Sequence, residues 1–292
     1  MKQQTKRSIF TLLLVLLLLM SALTACGGRG DAGPPRPVVV DEVVYVHHFG
    51  IAVQRGNAVL RDQIWAALQV LAADGTVERI ARAWFGFDPT LIPPDPNATE
   101  HLGEVRERTL IVGFDSGMAP KSYIDERGEL VGFDIDLAQA VCDYFGWTLV
   151  LLPIEWADKE MELQSGNIDC LWGGVSLKGR VQTRMYHTPP YMENRQVVLT
   201  MSNAGINSLG RTRDRTIALR AGSAAETALE QNSRFQGRLG DIVILETLAD
   251  CLIELERGRV DAVLMDETAA FYYIRTGDAA AFGGRNIRGI FE

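Results

Sequence analysis

Residues 110–141, LIVGFDSGMAPKSYIDERGELVGFDIDLAQAV, decide the fold. With Thr109 they open on TLIVGF, an unbroken apolar run of the kind buried on both faces of a parallel sheet. A loop carrying Gly and Pro follows, and then FDIDLAQAVCDYFG, an apolar helical pattern closed by Gly146. TLVLLPI, 148–154, reads as a second buried strand. Strand, loop, helix and strand in that order are the unit of an α/β sheet.

Further along, one pattern occurs twice: ELQSGNIDCLWGG at 162–174 and ELERGRVDAVLMD at 254–266. Each is a helix end, a Gly turn, an apolar residue, Asp and a short apolar strand. Two such units about ninety residues apart predict two lobes of similar build, each a parallel sheet flanked by helices. Ligands of such sheets sit beyond the carboxyl ends of the strands. Gly173-Gly174 and Asp266 are therefore aimed at a shared cleft.

Upstream lies FGIAVQRGNAVLRDQIWAALQVLAADGTVERIARAWFGF, residues 49–87. Leu60, Ile64, Leu68 and Leu71 mark one face of a helix that stops at Asp74-Gly75. Thr76 is placed to cap a second helix, with Val77, Ile80, Ala81 and Trp84 on one side. Residues 87–97, FDPTLIPPDPN, hold four prolines and read as a linker rather than a helix or central strand.

These segments resemble the bacterial extracellular solute-binding proteins that bind amino acids for ABC importers. GELVGFDIDLAQAV, LQSGNID, GRVDAVLMDETAA and the 49–87 stretch carry the likeness. In that family the 49–87 type of segment closes the chain; here it precedes the family's usual opening at 110–141, and Phe291-Glu292 falls about where it would otherwise begin. The resemblance thus implies an α/β, two-lobed periplasmic-binding-protein fold (type II, Venus-flytrap), circularly permuted. Expected boundaries are lobe 1 at 55–87 plus 108–194, lobe 2 at 38–48 plus 197–292, and hinge strands near 49–54 and 194–196. Residues 88–107 would join the ancestral termini, at little cost in loop entropy if those termini lay close together.

The chain opens with Lys2, Lys6 and Arg7 before a Leu-rich run from about Ile9 to Leu23. That is a signal peptide over 1–25, too short for a convincing spanning helix. Leu23-Thr24-Ala25-Cys26 reads as a lipobox, with Cys26 acylated, because stable anchoring needs two or more acyl chains. GGRGDAGPPRP, 27–37, is a Gly/Pro tether whose Arg-Gly-Asp is read as chance. Removing three basic and no acidic residues turns a net charge of −8 into −11, which argues against nucleic-acid binding. Cys142, Cys170 and Cys251 show no metal spacing and read as buried thiols, with one disulfide open to an exported chain. No cofactor is expected, and the chain is expected to be a monomer outside the cytoplasm.

What the resemblance implies for the pocket is specific. Asp266 matches the family's aspartate that holds the ligand's α-ammonium, the other reading being a helix N-cap. Its removal is then expected to abolish ligand capture and leave the melting point nearly unchanged. Asp115 resembles the position that reads ligand side chains. Trp156 is placed to pack on the ligand or in the lobe core. Gly174 and Ser176 correspond to backbone and hydroxyl contacts, and Gly222-Ser223 to a helix N-terminus that favours a carboxylate. Arg180 stands one position before the family's carboxylate-clamping arginine, where ungapped alignment gives Val181. Met118 replaces an aromatic, Lys121 a Phe, and Ala224 a hydroxyl residue. His47-His48 are read as hinge surface before metal ligands, Trp172 as lobe core, and His187 as a loop residue.

The expected function is lipid-anchored capture of a polar amino acid, or related small zwitterion, for an importer permease. Two alternatives stay open. One is a dehydratase-like enzyme on the same fold, with Glu155, Glu160 or His187 as its acid or base. The other is a ligand-sensing module for a membrane receptor.

Overall fold

Two five-stranded sheets carry the fold, with a three-stranded one between chain segments of the first. The computed structural model describes residues 34–125, 127–177 and 185–283, so Cys26 and Arg180 lie outside the described residues. The leading elements are β1 (Pro37–Phe49), β2 (Ala52–Gln54), α1 (Ala58–Ala73) and α2 (Thr76–Phe85). Next come β3 (Thr109–Phe114), β4 (Gly117–Met118), β5 (Ser122–Ile124), β6 (Leu130–Val131), α3 (Phe133–Phe145), β7 (Thr148–Pro153), α4 (Lys159–Ser165), β8 (Cys170–Leu171) and β9 (Met185–His187). The rest are β10 (Met192–Met201), β11 (Thr216–Arg220), α5 (Ala224–Gln231), α6 (Ser233–Gln236), β12 (Asp241–Leu245), α7 (Leu248–Glu256), β13 (Ala262–Asp266) and α8 (Glu267–Thr276).

The first lobe is built on the order β7-β3-β8-β2-β9 and the second on β1-β10-β13-β11-β12. Neither sheet is purely parallel, contrary to the sequence reading. β3 runs parallel to β7 and β8, but β2 enters antiparallel between β8 and β9. In the second sheet β11 is parallel to β12 and β13, while β10 is antiparallel to β13 and β1 to β10. The physical reason is that β1 and β10 each run from one lobe towards the other. A strand that crosses between lobes reaches its sheet from the direction opposite to one that returns from a crossover helix.

The leading helices pack where their sequence pattern points. In α1, Leu60, Ile64, Leu68 and Leu71 are buried, and Asn57 caps the helix by accepting from the Leu60 N–H at 3.3 Å. The start of α2 differs from the expectation. Gly75, at φ +80°, is its N-cap, and the Asp74 carboxylate rather than the Thr76 hydroxyl takes the first free N–H, that of Thr76, at 2.9 Å. Thr76 falls one residue inside the helix, because a left-handed turn between two abutting helices needs glycine. The largest core unites these helices with α3 and the β3 sheet, and thirteen of its twenty-five buried residues precede Thr109. Ile64, Leu68 and Ile80 are thus part of the same apolar interior as Leu110, Leu137 and Trp172. The proline-rich segment is pinned to the first lobe: Leu91 N–H donates to the Tyr191 carbonyl and Asp95 N–H to the Gln69 carbonyl.

Cys142, Cys170 and Cys251 are buried free thiols, which leaves no disulfide among them. Burial pushes all three well above the ordinary thiol range, so they are inert packing groups. His187 lies in β9 rather than in a loop, its backbone registered against Ala52 of β2. Among the described residues no helix is long and apolar enough to cross a membrane.

Candidate functional site

A cavity of about 230 Å³ opens where the strand ends of the two sheets meet. Met118, Trp156, Gly174 and Ser176 line it from the first lobe, and Gly222, Ser223 and Asp266 from the second. Seven of the expected ligand residues are therefore brought to one space by elements far apart in sequence. Asp115 stands just behind them, and Arg180 lies outside the described residues.

Asp115 directly follows β3 and holds the loop there. Its Oδ1 accepts from the Gly117 N–H at 2.8 Å, and its Oδ2 receives Arg220 Nη2 at 3.4 Å. Met118 forms one wall, close enough to Gly174 that a Cβ there would lie 2.7 Å from its sulfur. Gly174 sits at φ +72°, so both its conformation and its space call for glycine. Trp156 opens a short 3-10 turn after β7 and faces the cavity while packing on the core of Ile154, Leu163 and Leu171. Lys159 donates to the Trp156 carbonyl at 3.1 Å and stands 5.1 Å from its ring centroid.

The helix N-terminus expected to hold a carboxylate is partly self-satisfied. Gly222 N–H donates to Glu226 Oε2 at 2.7 Å, and the Ser223 hydroxyl to the Arg220 carbonyl at 2.6 Å. Ala224 and Ala225, in the first turn, line the cavity wall, and first-turn N–H groups have no intrahelical acceptor.

Asp266 is the centre of the polar network. It is the N-cap residue of α8 but makes no side-chain cap bond. Its Oδ2 receives Lys121 Nζ at 2.5 Å, and its Oδ1 receives Asn194 Nδ2 at 2.9 Å and also Gln196 Nε2. Burial opposes ionisation of Asp266, but the Lys121 ammonium, His47 and these hydrogen bonds outweigh it and hold the carboxyl well below the usual range. Lys121 is buried at 1% exposure and lies 5.3 Å from the Phe49 ring centroid. His47 is buried too, hydrogen-bonded to Asn194 and 3.5 Å from Gln196. It is not hinge surface, because β1 and β10 are in register there and turn His47, Asn194 and Gln196 inwards together. Among the described residues no three His, Cys, Asp or Glu side chains are grouped to hold a metal.

Two ion pairs thus bridge the lobes, Lys121–Asp266 and Asp115–Arg220. A third contact region closes the far rim. Tyr123 and Tyr272 share a hydroxyl hydrogen bond of 2.8 Å, and Arg275 donates to the Trp84 carbonyl at 2.6 Å. Lys121, Lys159 and Arg220 were not among the residues expected to face the ligand. Signals for two of them existed: a lysine where an aromatic is usual, and an arginine at the exact end of TIALR, pointing where strands meet ligands. Glu155, Glu160 and His187 do not line the described cavity.

The family model described as bacterial extracellular solute-binding proteins, family 3, matches residues 110–279. The L-cystine-binding protein of Escherichia coli K12 is 28% identical over 187 residues, 63% of this chain and 69% of its own. A solved ABC uptake transporter substrate-binding protein from Streptococcus pneumoniae, with bound histidine, is 32% identical with a TM-score of 0.53. That match covers 58% of this chain and 70% of that one. The solved ancestral amino-acid-binding protein described as a precursor of cyclohexadienyl dehydratase is 30% identical, with a TM-score of 0.51, covering 57% of this chain and 75% of that one.

Proposed function

The chain belongs to the bacterial extracellular solute-binding proteins, family 3, and on that premise we propose that it captures one small polar solute of amino-acid size in the cleft. In this reading it delivers the solute to the permease of an ABC importer as a monomer, anchored to a membrane through acylated Cys26, and turns nothing over. The observation that carries the reading is the cavity itself: both lobes line it, and each contributes a charged side chain to a pair that exists only when the lobes are together. A ligand held by both lobes stabilises the shut state through contacts the open state lacks.

Part of the same proposal is the rotated order. The family match stops short of residues before 110, and the S. pneumoniae match leaves about a third of that protein uncovered. The rotated order is supported by the packing of β2, α1 and α2 into the core of the first lobe. Anchoring has its own check. Cells fed labelled palmitate should label the chain, and Cys26→Ser should not be labelled.

Native mass spectrometry of freshly purified protein should find one small molecule per chain. Titration calorimetry with the identified compound should give one site. Failure of every small polar acid, amino acid and sugar to bind would refute solute capture. Consumption of added prephenate or arogenate would show an enzyme instead.

A further inference from the structure

Three donors, one of them a cation, already hold the Asp266 carboxylate, and a second ammonium there would stand beside the Lys121 charge. One oxygen is taken by Lys121 Nζ at 2.5 Å and the other by the amides of Asn194 and Gln196. The lysine is not a surface residue reaching in by chance: it is 1% exposed, with its charge beside the Phe49 ring. It stands on the carboxylate that the family resemblance assigns to a ligand's ammonium, and carries the same charge.

The remaining charge in the cavity is positive. Arg220 spends its guanidinium on two long contacts, 3.3 Å to the Gly117 carbonyl and 3.4 Å to Asp115. Five N–H donors leave others for a ligand. Lys159 has no carboxylate within ion-pair distance among the described residues, its contacts being the Trp156 carbonyl and ring. The first-turn N–H groups of α5 add a partial positive charge on the same wall.

We propose that the cleft selects a small carboxylate anion bearing no ammonium group, with the buried Lys121 filling the ammonium position and Arg220 and Lys159 facing the anion. The inference rests on solute capture at this cleft and narrows its ligand class. An amino acid entering here would set its ammonium against that of Lys121 or displace a buried lysine from its only carboxylate partner among the described residues. A deaminated acid of the same carbon skeleton meets neither obstacle. Lys121 is therefore a specificity residue.

The test is a matched-pair titration on the mature chain. Each L-amino acid is compared by calorimetry with the 2-hydroxy, 2-oxo and unsubstituted acid of the same skeleton, after removal of any bound solute. The expected result is at least tenfold tighter binding of an acid lacking the ammonium. Lys121→Met, which frees Asp266, should move the preference towards the amino acid by a comparable factor, with Lys121→Arg retaining the parent preference. If the parent binds an amino acid as tightly as its deaminated partners, the proposal is overturned while solute capture stands. If a Lys121→Met chain that melts cooperatively keeps the parent preference, Lys121 is not the selecting group and the proposal likewise fails. Binding of no acid and no amino acid would overturn the proposal together with the solute-capture reading beneath it.

Discussion

Asp266→Ala is the most informative single change. The alanine leaves the Lys121 ammonium, at 1% exposure, without its carboxylate. It also strips the acceptor from the Asn194 and Gln196 amides. Removing one partner of a buried pair costs about 3–5 kcal/mol, because the other charge stays desolvated. For a chain of this size that corresponds to a melting point lower by about 6–20 °C. The sequence reading gave this aspartate to the ligand, with a helix N-cap as the other reading, and expected an almost unchanged melting point. The structure makes it a strut between lobes as well. Calorimetric melts of ligand-free protein at pH 7 measure the difference. The double change Lys121→Met with Asp266→Leu should recover most of the loss, since no charge is then left buried. The folded-state pKa of Asp266 is depressed, so its contribution is present above the ordinary value of 3.8 and disappears as pH falls below it. The gap between parent and variant should close in that acid range. An Asp266→Ala melting point within about 1 °C of the parent at pH 7 would refute the reasoning and leave the carboxylate free for a ligand.

Asp134 is expected to give the opposite pH signature. It is fully buried, accepts from the Tyr191 hydroxyl at 2.8 Å, and burial raises its pKa from 3.8 to about 7. A raised folded value stabilises at low pH and is lost on going up through about 7, a swing of roughly 4 kcal/mol. Asp134→Asn should flatten the stability profile between pH 4 and 7 in chemical denaturation; an unchanged slope would contradict this assignment. Gly174→Ala combines φ +72° with a Cβ 2.7 Å from the Met118 sulfur. It should cost about 1–3 kcal/mol and push Met118 into the cavity, weakening the identified solute by about tenfold or more; parent-like melting and affinity would sink that account.

Much of this architecture was legible because local pattern and global fold agree. The run from Thr109, the helix ending at Gly146 and the apolar face of Leu60, Ile64, Leu68 and Leu71 all stand where their periodicity puts them. Sheet direction was not legible, since a strand of three residues such as Ala52–Gln54 carries no mark of which neighbour it will join. The residues expected at the ligand were placed from family positions, and seven of them line the cavity, but their partners were not legible. Lys121 looked like a lost aromatic because nothing in one sequence says that a lysine at 121 meets an aspartate at 266. His47 looked exposed because a polar pair beside a crossing strand reads as surface. Asn194 and Gln196, two residues apart on one strand, did carry a signal: period two sets both on a single face, and two amides there need an acceptor.

The most direct measurement compares the mature chain with one that starts at Glu104, by solute titration and thermal melting side by side. More than half of the main core's buried residues precede Thr109, so the shortened chain should show no cooperative melt and no solute binding, while the mature chain binds one solute and melts higher with it. A shortened chain that melts at the same temperature and binds the same solute with the same affinity would contradict the account at its root.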